Sequence, residues 1–230
     1  MYYGIDYTYI FVIIGAIITM IAQGLVTGRY NKYKEIDASK NITGAEVARK
    51  ILDANDLKSI KINEVAGTLT DHYDPTNKTV NLSTDIYKGN SISSVAVAAH
   101  ECGHAIQDKV GYNFLRIRHK MVPTVNLCSK LGYIVIFIGL LAGIFNIALI
   151  GLILLGAILI FQLVTLPVEF NASSRAKKQL IKLNLVNESD SAGVSDMLFA
   201  AALTYVAALA SSVLQILRLF LMITGNRRKN

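Results

Sequence analysis

The chain has 230 residues, a formal net charge of +7 and 53% hydrophobic residues, with only 17% charged. Its mean hydropathy of +0.43 excludes an ordinary single soluble domain. The basic excess comes with no aromatic-interleaved patch or binding motif, so it argues against nucleic acid and for contact with anionic lipid beside a membrane.

Three stretches lack Asp, Glu, Lys and Arg, and a membrane span needs about 20 apolar residues. The first, Tyr7–Gly28, is 22 residues long and reads as one transmembrane helix. Met1–Asp6 has no basic residue, and no small-residue cleavage site follows the run cleanly. The segment is therefore expected to stay as an anchor rather than to be removed as a signal peptide.

Residues 29–130 form the next, polar region. Asn41–Asp56 is expected to be a helix: Thr43 is a candidate N-cap with Glu46 three residues later, followed by Val47, Ile51 and Leu52 at helical spacing. Ile60-Lys61-Ile62 alternates like a short strand. Thr68–Leu82 reads as strand, turn and strand, with Asp74-Pro75-Thr76-Asn77 as the turn. Lys78–Leu82 is the candidate sheet edge for adding an extended peptide; a plain structural hairpin explains it equally well.

Ser91–Gln107 is then expected to be a helix carrying His100-Glu101-Cys102-Gly103-His104. In H-E-x-x-H the two imidazoles stand one helical turn apart, on the same face, where both reach one zinc ion. The intervening Glu101 is placed to take a proton from the attacking water and pass it to a leaving amine. Small and apolar residues frame the motif on both sides, unlike a solvated charged face. Burying this set without a ligand would be costly. Cys102 and Cys128, the only cysteines, form no C-x-x-C pair. Cys102, two residues from each histidine, points off the ligand face and is expected to pack.

The second uncharged stretch, Leu131–Val168, is 38 residues long, enough for two spans. We read residues 131–166 as a transmembrane hairpin turning at Gly143-Ile144-Phe145-Asn146. Residues 167–196 follow as a helix that Pro167 can begin. A catalytic zinc usually takes three protein ligands. Asp85 and Asp108 are off the required face or on another element. Glu169 is the better third candidate, since a carboxylate at a membrane exit is expensive unless solvated, paired or metal-bound. Its rival reading is a helix-start glutamate favoured by the dipole.

The third stretch, Met197–Leu217, has 21 uncharged residues and several polar ones, so residues 197–224 either span or pack on the bundle. Fifteen Lys and Arg lie between Arg29 and Lys130, and four more in Arg175–Lys182. That bias places the polar regions in the cytoplasm. The basic tail Arg227-Arg228-Lys229 conflicts with it if the last stretch crosses.

His100–Gln107, preceded by Gly67–Pro75 and followed by Pro167-Val168-Glu169-Phe170 and Leu203–Ala207, resembles the YugP-type membrane zinc metallopeptidase family over most of the chain. More distantly, the order of H-E-x-x-H, hairpin and glutamate helix resembles HtpX-type endopeptidases. That resemblance implies Glu169 as third ligand. The distant relatives carry an aspartate where this chain has Ser173, so the group orienting the imidazoles must come from elsewhere or be replaced by a hydroxyl or by Asn171.

The sequence therefore predicts a mostly α, multi-pass membrane protein with three to four transmembrane helices and a zincin-like region. A small antiparallel β element is expected beside the motif helix. One Zn2+ per chain is held by His100, His104 and Glu169, with Glu101 as the base for hydrolysing a polypeptide or membrane-protein substrate. His72, Tyr205 and Arg175 are polar candidates for oxyanion or substrate contacts. A non-catalytic zinc-binding scaffold or sensor is the rival reading; the intact Glu101 argues against it.

Overall fold

The computed structural model describes residues 7–227; Met1–Asp6 and the tail residues Arg228 and Lys229 lie outside them. The elements run α1 (Tyr9–Lys34), α2 (Gly44–Ala54), β1 (Lys61–Val65), β2 (His72–Asp74), β3 (Thr79–Ser83), α3 (Thr84–Lys88), α4 (Ile92–Lys109), α5 (Asn113–Leu141), α6 (Phe145–Lys182) and α7 (Glu188–Arg227). Two compact units divide the chain. One takes residues up to Gln23, Ile117–Leu166 and from Thr204 onward; the other takes Gly24–Arg116 and Pro167–Leu203.

The first unit is helical. Among the described residues, four helices are long and apolar enough to cross a membrane: Tyr9–Lys34, Asn113–Leu141, Phe145–Lys182 and Glu188–Gly225. The ambiguous last stretch belongs to one of them. Ile136, Ala148, Leu152, Leu155, Leu219 and Ile223 form this unit's buried cluster. Meanwhile Phe137 is 63% exposed and Ile153 69% exposed. An apolar surface of that extent suits hydrocarbon rather than water. Glycines let α5 and α6 pack at backbone distance: a Cβ on Gly139 would lie 2.4 Å from the Ala148 nitrogen. The hairpin turn comes one residue early, at Ala142-Gly143-Ile144. Gly143 takes φ +68°, and the Ile144 N–H donates to the Gly139 carbonyl at 2.9 Å. This is a glycine-terminated helix end, with the next helix beginning at Phe145.

The second unit has its own core, built from Val47, Ile51, Leu52, Val80, Leu82, Ile86, Val95, Ala99 and their neighbours. Thr43 and Glu46 close the capping box of α2: each receives the other's backbone N–H, at 3.3 and 2.9 Å. Ser91 caps α4 by accepting the Ser94 N–H at 3.2 Å. The capping box was expected; the Ser91 cap and the five-residue α3 were not.

Three expectations change. The sheet is mixed rather than antiparallel: β2 pairs with β3 antiparallel, but β1 pairs with β3 parallel. Its order is β1-β3-β2, so the segment Lys78–Leu82, expected at the edge, belongs to the central strand. Alternation in a sequence identifies a strand but not its partners. Finally, α6 does not begin at Pro167. It runs through that residue, giving up one ladder hydrogen bond, and the break comes later, between Lys182 and Glu188.

Candidate metal centre

Helix α4 places His100 and His104 on one face, ring centroids 4.8 Å apart and nearly perpendicular. Glu169 comes from α6, and its Oε2 lies 3.3 Å from His100 Nε2 and 3.5 Å from His104 Nε2. All three donor atoms fall within 4.8 Å of one another. Glu169 is 1% exposed and His104 8%.

Gly103 makes this convergence possible. A Cβ there would sit 2.5 Å from the Ala172 carbonyl oxygen of α6. Only hydrogen fits, so α4 and α6 approach at backbone distance beside the two histidines.

Glu101 is buried on the same helix. Burial pushes its carboxyl up to about 7; His100 lowers it, Glu169 and Asp71 raise it, and the Tyr73 N–H of β2 hydrogen-bonds it. A carboxyl near 7 is suited to exchanging protons at neutral pH. Tyr73 is held in turn by its hydroxyl, which donates to Asp108 Oδ2 at 2.6 Å; Lys78 also pairs with Asp108.

Each imidazole has a partner on its outer nitrogen. His100 Nδ1 lies 3.2 Å from the Ser173 hydroxyl. His104 Nδ1 lies 3.0 Å from Gln107 Oε1. Gln107 Nε2 donates to the Val168 carbonyl at 2.7 Å and to Asn171 Oδ1 at 3.0 Å. Arg175 Nε donates to the same Asn171 oxygen at 2.7 Å. A hydroxyl thus lies beside His100 and an amide beside His104.

The remaining candidates are placed as follows. Both ring nitrogens of His72 are engaged, Nδ1 with the Thr70 carbonyl at 2.8 Å and Nε2 with Asn81 Nδ2 at 3.1 Å. Arg175 spends its Nε on Asn171. Tyr205 lies on α7 in the first unit. Cys102 is fully buried, with Sγ 3.6 Å from the Ala48 carbonyl, and packs as expected. Burial pushes its thiol well above the ordinary range. Sequence reasoning missed Gln107 and Gly103. Gln107 stands three residues after His104, a spacing that puts helical side chains side by side, so a signal was present.

A family model described as "Putative neutral zinc metallopeptidase" matches residues 8–224. A curated relative, "Putative membrane protease YugP" of Bacillus subtilis (strain 168), is 44% identical over 223 residues, covering 96% of this chain and 99% of the relative. No solved structure matches.

Proposed function

Because this chain belongs to the neutral zinc metallopeptidase family, we propose that it is a membrane-bound zinc-dependent endopeptidase with a zincin-like centre. His100, His104 and Glu169 hold one zinc ion per chain, and Glu101 is the base. The observation that supports the reading best is the convergence of donor atoms from His100, His104 and Glu169 within 4.8 Å of one another in a buried site. With its Nδ1–H given to Gln107, a neutral His104 turns a lone pair on Nε2 toward Glu169 Oε2. Two lone pairs facing each other repel unless a cation or proton lies between them. Two imidazoles and a carboxylate are a donor set that zinc takes in catalytic sites.

Bound zinc would polarise the scissile carbonyl and lower the pKa of the attacking water. Glu101 takes that water's proton and returns it to the departing amine. The Tyr73 N–H holds the carboxylate in place. An extended polypeptide would add to β2, the edge strand that meets Glu101, because main-chain pairing accepts varied sequences. Within the second unit, His72 and Arg175 are the candidate donors to the developing oxyanion; loss of the donor lowers kcat about 100- to 1000-fold. The charge bias of residues 29–130 supports a cytoplasmic catalytic region.

The test is Glu101→Gln in detergent-purified protein, followed by zinc content and turnover of an unfolded polypeptide. Zinc retained with turnover down by about 100-fold or more supports the endopeptidase. Zinc retained with no turnover in either wild type or variant supports the scaffold or sensor.

A further inference from the structure

We infer that Gln107 is a positioning residue: one side-chain amide both sets the tautomer of His104 and ties it to the backbone of the helix that delivers Glu169. The inference rests on the metal-site reading above.

The argument starts from a group with no choice. The Val168 carbonyl only accepts, and it lies 2.7 Å from one end of the Gln107 amide. That end must therefore be the NH2 group. Its second proton goes to Asn171 Oδ1, whose orientation is fixed the same way, since Arg175 Nε, always a donor, points at that oxygen. The other end of the amide is then the carbonyl oxygen, which faces His104 Nδ1 at 3.0 Å. An amide oxygen cannot donate, so His104 Nδ1 must carry the proton. A neutral imidazole has one N–H, which leaves Nε2 bare toward Glu169 Oε2, 3.5 Å away.

Val168 and Asn171 flank Glu169 in sequence. The amide thus joins the two sources of donors, the histidines of α4 and the carboxylate of α6. Gln107 is fully buried and its NH2 and carbonyl are both engaged, so rotating the amide would set its NH2 against the N–H of His104 and its oxygen against a carbonyl. His100 is held more loosely. Its Nδ1 meets the Ser173 hydroxyl, which can either donate or accept.

The experiment is zinc affinity of the full-length, detergent-purified protein, measured by competition with a chromophoric chelator. The variants are His104→Ala, Gln107→Met and Gln107→Glu, with helicity of the metal-free forms as the folding check. Wild-type binding that His104→Ala abolishes upholds the metal site; absence of either result sinks that reading on its own. With the site upheld, Gln107→Met should weaken zinc about 10- to 100-fold, the usual effect of losing a group that orients a ligand. Gln107→Glu keeps an oxygen for the Nδ1 proton but sets its other oxygen against the Val168 carbonyl, so its affinity should fall between those of Gln107→Met and wild type. A Gln107→Met protein that binds zinc like wild type overturns the inference. If Gln107→Met does not fold, Gln107→Glu decides: affinity below wild type in a folded protein upholds it, and wild-type affinity overturns it.

Discussion

Glu101 sits where burial opposes its charge, and this has a thermodynamic signature apart from catalysis. Its carboxyl is raised from the ordinary value to about 7 in the folded chain. A raised carboxyl contributes stability that is present below the unfolded value, near 4.5, and is lost as pH rises through 7. Glu101→Gln removes the ionisation. In metal-free protein its melting temperature should match wild type near pH 4.5 and exceed it increasingly up to pH 8, the gap corresponding to roughly 3 kcal/mol at most. A gap independent of pH would mean that the carboxylate is solvated. At Glu169, replacement by Ala should abolish stoichiometric zinc in elemental analysis. Zinc kept in that variant would move the third ligand elsewhere. The motif residues were legible because a helix turns position i+4 over position i, a relation that spacing alone encodes. Glu169 needed the long uncharged run and a family likeness. Ser173 and Gln107 lie against imidazole nitrogens; the likeness offered a hydroxyl at 173, whereas for Gln107 the only signal was a helical spacing that went unread.

At the level of elements, the contact between α4 and α6 is the critical one. Gly103→Ala would drive a methyl into the Ala172 carbonyl at 2.5 Å. Backbone cannot swing away as a side chain can, so the helices must separate. We expect a loss of about 1–3 kcal/mol, seen as a lower melting temperature, together with weaker zinc binding. Unchanged values for both would show that the helices have room. The capping box of α2 is a milder case. Thr43→Ala should cost about 1 kcal/mol with zinc affinity unchanged, which makes it a useful control. The capping residues could be read directly because a cap is a local event spanning three residues. The sheet order could not. β1 reaches β3 in parallel with β2 intervening in sequence, a pairing decided by packing rather than by alternation. Pro167 misled for a related reason. A proline favours a helix start, yet a long apolar helix absorbs the lost hydrogen bond when neighbouring elements hold it.

For the whole molecule, the four apolar helices and the distribution of basic residues make one topological prediction. Lys40→Cys in a Cys128→Ser background should react with a membrane-impermeant thiol reagent only when the cytoplasmic face is opened. Labelling of intact cells would reverse the orientation. The remaining Cys102 gives little background, being fully buried with its thiol pushed up. The spans were legible from uncharged length, but the division into two units was not, because each contains segments distant in sequence.

The donors are also separated in time. His100 and His104 leave the ribosome 69 and 65 residues ahead of Glu169, with a complete apolar helix in between. A nascent chain therefore owns both imidazoles, and the base between them, well before it owns the carboxylate or the carbonyl that orients Gln107. On the proposed reading, the protein is born inert and becomes a protease only once its hairpin is in place.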